Sequence, residues 1–313
     1  MERTDEMLKA EILRLKEEKG AVILAHYYQR AEIQDIADYI GDSLALAQKA
    51  ADLGDARVVV MCGVHFMAET VKLLCPDKKV LIPDLSAGCS LADSCPADEF
   101  ARFIAENPGH TVVSYVNTTI GVKALSDVLV TSGNARRVVE SLPKDEKIIF
   151  GPDRNLGEYI NSVTGRSMKL WNGACHVHER FSAEELSRLR EQHPGAPVLV
   201  HPECRRPLAL MADKIGSTAA LLEYAETSDA KEFIVATESG ILHEMQRRCP
   251  GKTFIPVPPS DGTCACNECS YMKLVTLEKL RDCLRDESPE IEIDPEIAGR
   301  ALRPVERMLG ISR

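Results

Sequence analysis

The 313-residue chain contains no apolar run approaching the ~18 residues that a membrane-spanning helix requires, which argues against a membrane span. It has no basic excess either. Its 38 Lys and Arg stand against 48 Asp and Glu, a formal charge of −10, so nucleic acid is not an expected partner. A secretory pattern is missing: MERTDEMLKAEILRLKEEKG reads as a charged amphipathic helix, and a cytoplasmic protein is expected. The chain also lacks the short, evenly paired framework of a disulfide-stapled domain. Its cysteine count of 11 is odd and the chain is long, so reduced thiols are expected. Cys62, Cys75, Cys204, Cys249 and Cys283 fall in or beside apolar segments, where a free thiol acts as a small hydrophobe.

Three other cysteines share one address. Cys89, Cys175 and Cys269 each follow a short apolar run, in KVLIPDLSAGC, MKLWNGAC and TFIPVPPSDGTCACNEC. They are 86 and 94 residues apart, so only tertiary structure can bring them together. Three thiolates from equivalent loops would make a metal or iron–sulfur site with one coordination position open. Cys264, Cys266 and Cys269 could instead be half of a structural zinc site, but no partnering CxxC or His pair has suitable spacing. His176 and His178 alone are weak evidence for zinc.

The interval recurs elsewhere. GAVILAH, HTVVSY and APVLVH end at His26, Tyr115 and His201, spaced 89 and 86 residues apart. ARVVVMCG, EKIIFGP and EFIVAT form a second set spaced 89 and 85. Helical stretches such as SLALAQKAADLG, NARRVVESLP and TAALLEYAET lie between them. Short continuous apolar strands alternating with helices indicate parallel sheets covered on both faces. The expected fold is α/β: three similar α/β/α units with small parallel sheets, in a pseudo-three-fold arrangement around a central active site. The expected boundaries are an N-terminal helix over 1–19 and units over 20–109, 110–195 and 196–313, the last including the C-terminal helices. One doubly wound sheet of six to nine strands is the alternative, and the three-fold spacing disfavours it.

Functional groups in such sheets gather beyond the carboxyl ends of the strands. Alternation along an extended strand pairs His26 with Tyr28, Tyr115 with Asn117, and His201 with Glu203. His and Glu suit proton transfer, while Tyr and Asn suit orienting carbonyl or carboxylate oxygens. Pro202 favours an extended His201, and a carboxylate at Glu203 shielded from water is expected to have a raised pKa. A further trio, Ser43, Ser132 and Ser217 with Thr218, is placed to begin helices. These are either simple N-caps or part of three amide-rich anion sites. The residues alone lead as far as a cluster enzyme acting on a small anion.

The chain resembles the quinolinate synthase (NadA) family over nearly its whole length. The resemblance rests on ILAHYYQ, EIQDIADYIGDSL, YVNT, VTSGNA, GPDRNLGEYI, WNGACHVHE, VHPEC, GSTAALL and the Cys-rich segment leading into YMKL. It implies a three-domain enzyme that condenses iminoaspartate with dihydroxyacetone phosphate to give quinolinate, phosphate and two waters, in de novo NAD biosynthesis. It implies a [4Fe-4S] cluster held by three cysteines, with the fourth iron open as a Lewis acid. An enzyme supplying iminoaspartate would be a further partner. By motif the ligands are Cys89, Cys175 and Cys269. Repeat spacing favours Cys264 instead, 63 residues after His201 as Cys89 is 63 after His26. Some relatives carry CxxCxxC where this chain has CxCxxC, which argues against a regulatory disulfide between Cys264 and Cys266. Glu203 is the expected general base, with His201 and Tyr28 as supporting acid/base groups. His26, Ser43, Tyr115, Asn117, Ser132, Ser217 and Thr218, with His201 and Glu203, are expected to hold the substrate's anionic groups.

Overall fold

A computed structural model describes residues 4–260 and 267–312. Its twelve strands are β1 (Ala21–His26), β2 (Tyr39–Gly41), β3 (Val58–Cys62), β4 (Lys79–Leu81), β5 (Thr111–Tyr115), β6 (Val128–Val130), β7 (Ile148–Gly151), β8 (Lys169–Leu170), β9 (Val198–Val200), β10 (Lys214–Ile215), β11 (Glu232–Ala236) and β12 (Thr253–Pro256). They form three four-stranded sheets, ordered β2-β1-β3-β4, β6-β5-β7-β8 and β10-β9-β11-β12. Every pairing is parallel. The same order three times over is the expected α/β architecture of three similar units. The inner strands β3 (VVVMC) and β7 (IIFG) are buried at every position, as parallel strands covered by helices on both faces must be.

Each sheet has an edge strand that the sequence pattern does not reveal, because β2, β6 and β10 have only two or three residues. An aspartate before each fixes its register. Asp38 Oδ2 accepts from Ile23 N at 2.8 Å, Asp127 Oδ2 from Val112 N at 2.7 Å, and Asp213 Oδ2 from Val198 N at 2.8 Å. In return each aspartate amide donates to the carbonyl of that same strand residue, at 2.9 Å in all three cases. A reciprocal bond of this kind pins a strand too short to be held by its own ladder.

The expected helices are present. Ser43–Ala50, Ala135–Ser141 and Thr218–Thr227 follow the edge strands. Ala97–Ala105 and Ala183–Gln192 follow the first two cysteine loops, and Ser182 caps the latter through Glu185 N at 3.2 Å. The C-terminal helices reach back across the molecule. Leu277–Asp286 packs with the N-terminal helix Asp5–Lys19 and the first sheet, burying Leu8, Ile12, Leu277, Leu280 and Leu284 together. Pro295–Ser312 lies against β6, burying Ala301, Val305 and Met308 in a core shared by the first two sheets. No described helix is long and apolar enough to cross a membrane.

Candidate active site

The carboxyl ends of all three sheets open on one cavity whose water-accessible volume is about 70 Å³. Of the thirteen site residues expected from sequence, all but Ser217 line it. His26, Tyr28, Ser43 and Cys89 come from the first unit; Tyr115, Asn117, Ser132 and Cys175 come from the second; His201, Glu203, Thr218 and Cys269 complete the ring.

The polar pairs reach the cavity by a different local route from the one expected. β1 stops at His26 and β9 at Val200, so the second member of each pair sits in a turn and not on an extended strand. Gln29 N donates to His26 O at 3.0 Å, and Cys204 N donates to His201 O at 2.9 Å. These β-turns place Tyr28 and Glu203 at their third positions, with Pro202 preset for the second. Both turns use the preceding imidazole. Tyr28 N donates to His26 Nδ1 at 3.1 Å, and Glu203 N donates to His201 Nδ1 at 3.4 Å. An Nδ1 that accepts is unprotonated, so Nε2 of each ring carries the hydrogen. Burial, aided by the charge of Lys273, draws His26 down to about 3, and burial beside His178 does the same to His201. Both rings are therefore neutral donors at pH 7.

Glu203 is 3% exposed and sits at the centre. Its Oε1 accepts from Tyr115 OH at 2.5 Å, and its Oε2 lies 3.1 Å from His178 Nδ1. The raised carboxyl pKa expected from burial is not found. Burial pushes upward, but the His178 and His201 imidazoles and the Tyr115 hydroxyl outweigh it and hold Glu203 at about 2. The residue most responsible is His178, which the sequence offered only as weak evidence for zinc. Only 2% exposed, His178 stacks on His201 with ring centroids 4.5 Å apart, and its Nε2 lies 3.1 Å from Thr237 Oγ1. Its place one helical turn after Cys175 was the available signal. Tyr28 OH shares hydrogen bonds with Thr218 Oγ1 at 2.8 Å and Thr237 Oγ1 at 2.7 Å, and burial pushes its pKa well up.

The serines divide. Ser43, placed by the sequence to begin its helix either as a cap or as an anion contact, is the first helical residue, and Asp42 is the cap through Ala45 N at 3.0 Å. Aspartate satisfies a helix start at least as well as serine, and the DS pair hid the choice. Ser132 sits beside the Tyr115 hydroxyl on the cavity wall. Ser217 turns away from the cavity to cap its own helix through Ala220 N at 3.3 Å, beside the Asp42 carboxylate.

Burial raises the thiol of Cys89 to about 12, Cys269 to about 11 and Cys175 well above its usual value; neighbouring thiols add to this at Cys89 and Cys175. Two of the three also have an anchored backbone: Asp153 Oδ2 accepts from Cys175 N at 3.0 Å, and Glu238 Oε1 from Cys269 N at 3.0 Å. Three converging, half-buried thiols that repel one another as thiolates make chemical sense beside a strongly cationic centre, which would draw off their protons. Among the described residues, the only trio of Cys, His or acidic ligand atoms mutually within 4.8 Å is Cys175, His178 and Glu203. The three cysteines are thus spread wider than the ~3.8 Å separation of thiolates on one tetrahedral ion with 2.3 Å bonds. A polynuclear iron–sulfur group fits that donor set better than a single metal. Asn117 Oδ1, buried with no partner, leaves an acceptor for a hydrogen-bonding ligand in the same cavity. Cys264, the ligand favoured by spacing, and Cys266 lie outside the described residues. All nine described cysteines are free, and Cys62, Cys75, Cys204, Cys249 and Cys283 are buried, as expected.

Fold and site together define an α/β enzyme that gathers thiols, neutral imidazoles and an ionised carboxylate from three parallel sheets around one cavity. Comparison with known proteins narrows this. Residues 10–310 match the family described as quinolinate synthetase A protein. The chain is 58% identical over 305 residues to quinolinate synthase from Synechococcus sp., covering 97% of this chain and 95% of that protein. It is 57% identical over 305 residues to the Thermosynechococcus vestitus enzyme, with the same coverage, and 55% over 303 residues to that of Chloroherpeton thalassium, covering 97% and 94%. The chain belongs to the quinolinate synthase family and is an enzyme of that type.

Proposed function

We propose that the chain condenses iminoaspartate with dihydroxyacetone phosphate, giving quinolinate, phosphate and two waters for NAD biosynthesis. The observation that carries this reading is the meeting of Cys89, Cys175 and Cys269 with Glu203, His201 and Tyr28 in one cavity. The three cysteines would hold a [4Fe-4S] cluster. When bound, it would supply Lewis acidity at an open iron, helping a hydroxyl group to leave.

The chain's own residues do the rest. His26 and His201, neutral and protonated at Nε2, donate hydrogen bonds to carboxylate or phosphate oxygens without carrying charge. Ser43, Ser132, Thr218 and Asn117 add polar contacts around them, and Ser217 caps the helix that Thr218 begins. Ring formation and phosphate loss require protons to be removed from the triose carbons. Glu203, ionised at neutral pH, is the base. Its low pKa makes it weak until an anionic substrate raises that value by like-charge repulsion. Glu203, once it has taken up a proton, returns it to a leaving oxygen, which Tyr28 and the neutral His201 hold by hydrogen bonds. The division into units over 20–109, 110–195 and 196–313 follows from the repeat and belongs to this reading, as does a cytoplasmic setting that keeps the thiols reduced.

The test is anaerobic purification, iron and sulfide counting, and incubation with iminoaspartate and dihydroxyacetone phosphate. Quinolinate appearing only when both substrates and iron are present supports the reading. An iron-loaded protein that makes none, or that dehydrates a single hydroxy acid without a triose, overturns it.

A further inference from the structure

Two buried polar side chains outside the cavity occupy equivalent places in the repeat. Gln34 and Lys123 each stand eight residues beyond the polar end of a first strand, His26 or Tyr115. Each is the last residue of a four-residue helix, Ala31–Gln34 or Ile120–Lys123. Gln34 is 1% exposed and Lys123 is fully buried. Gln34 Nε2 donates to Tyr27 O at 3.0 Å and Gln29 O at 2.9 Å, the carbonyls on either side of Tyr28. Lys123 Nζ donates to Val116 O at 3.2 Å and to Thr118 O, the carbonyls on either side of Asn117. Different side chains thus make the same clamp at the same place, each closing on the backbone of a residue that lines the cavity.

The third unit solves the problem another way. Its equivalent position is Ala209, the last residue of Arg206–Ala209, which has no donor. There Pro202 stiffens the turn by fixing its own φ, and Asn155 Nδ2 donates to Glu203 O at 2.9 Å. A buried ammonium is a costly way to satisfy two carbonyls, and burial draws the Lys123 pKa down to about 8. That cost argues that the position of the turn matters. The residue clamped by Lys123 also carries a buried acceptor without a partner, Asn117 Oδ1.

We propose that Gln34 and Lys123 are positioning residues: each grips the carbonyls flanking one cavity-lining side chain, Tyr28 or Asn117, and so sets its reach toward substrate. This rests on the reading of Tyr28 and Asn117 as substrate-contacting groups. The test is a pair of double-mutant cycles on iron-loaded enzyme, Lys123→Met with Asn117→Ala and Gln34→Leu with Tyr28→Phe. Lys123→Met should raise KM for one substrate about tenfold, on the order of one lost hydrogen bond. Iron content should be unchanged, and the double variant should be no worse than Asn117→Ala alone, because coupled residues are not additive. Gln34→Leu should lower kcat and add nothing to Tyr28→Phe. Losses that multiply in both cycles, or clamp variants that melt lower with wild-type kinetics, overturn the inference. If Lys123→Met fails to fold, the Gln34 cycle, which strands no charge, decides alone. If Asn117→Ala and Tyr28→Phe are themselves silent, the substrate reading falls and this inference with it. If they are impaired while the clamp variants are not, only this inference falls.

Discussion

Replacing Glu203 by Gln isolates proton transfer from structure, because the site can absorb the change. The carboxylate accepts from Tyr115 at 2.5 Å and faces His178 Nδ1 at 3.1 Å. In the amide, the remaining oxygen still accepts from Tyr115. The new NH2 can donate to His178 Nδ1, whose ring then carries its hydrogen on Nε2, toward Thr237. Charge-assisted hydrogen bonds become neutral ones, a loss of about 1 kcal/mol, while the desolvation cost of a buried carboxylate disappears. The two nearly cancel, so the melting temperature should move little. Turnover should fall on the order of 100-fold, about 2.7 kcal/mol, as expected when a general base is removed. The assay is steady-state quinolinate formation by the iron-loaded protein across pH, with iron counted before and after. A wild-type rate with an unchanged pH profile would refute the assignment and leave His201 or Tyr28 as the base. Loss of iron with full folding would instead make Glu203 a ligand, within the group it forms with Cys175 and His178.

Other outcomes follow from the same geometry. Ser217→Ala removes a cap and should cost about 1 kcal/mol of stability with little change in KM, whereas Ser43→Ala should weaken substrate binding and leave melting near wild type; thermal melts beside Michaelis curves separate the two. Burial lowers His26 and His201 to about 3 in the folded chain, so below pH 6.5 the unfolded state takes up protons that the folded state refuses. The stability from keeping them neutral is full above that pH. It should be lost at roughly 1.4 kcal/mol per pH unit per histidine as pH falls toward 3. Denaturant midpoints that stay flat between pH 6 and 4 would count against neutral, buried rings.

Much of this site was legible in the sequence because the chain repeats itself. An interval of 89 and 86 residues marked the three strand ends, and the apolar runs before Cys89, Cys175 and Cys269 marked the loops that carry thiols to the cavity. Spacing could not see turns. Tyr28 and Glu203 were paired with their histidines by strand alternation, and a β-turn delivers the same side chains to the same space. The edge strands escaped because two or three residues carry no period, although Asp38, Asp127 and Asp213, spaced 89 and 86, were there to be found. His178 was missed as a site residue because its partners, Glu203 and Thr237, lie 25 and 59 residues away in sequence. Its control of the Glu203 charge exists only in three dimensions, and so does the crossing of the last two helices onto the first two sheets.

Iron binding by Cys89, Cys175 and Cys269 is the central proposal. Singly replacing Cys89, Cys175 or Cys269 by Ser and counting iron and sulfide per chain after anaerobic reconstitution tests it, since oxygen ligands hold iron–sulfur units poorly. Each of the three should lose the brown chromophore and most of its iron, while Cys62→Ser, Cys75→Ser and Cys283→Ser remain loaded like the unmodified chain. A Cys269→Ser protein that keeps its iron while Cys264→Ser loses it would contradict the choice of third ligand. Full loading in all three would contradict the site itself.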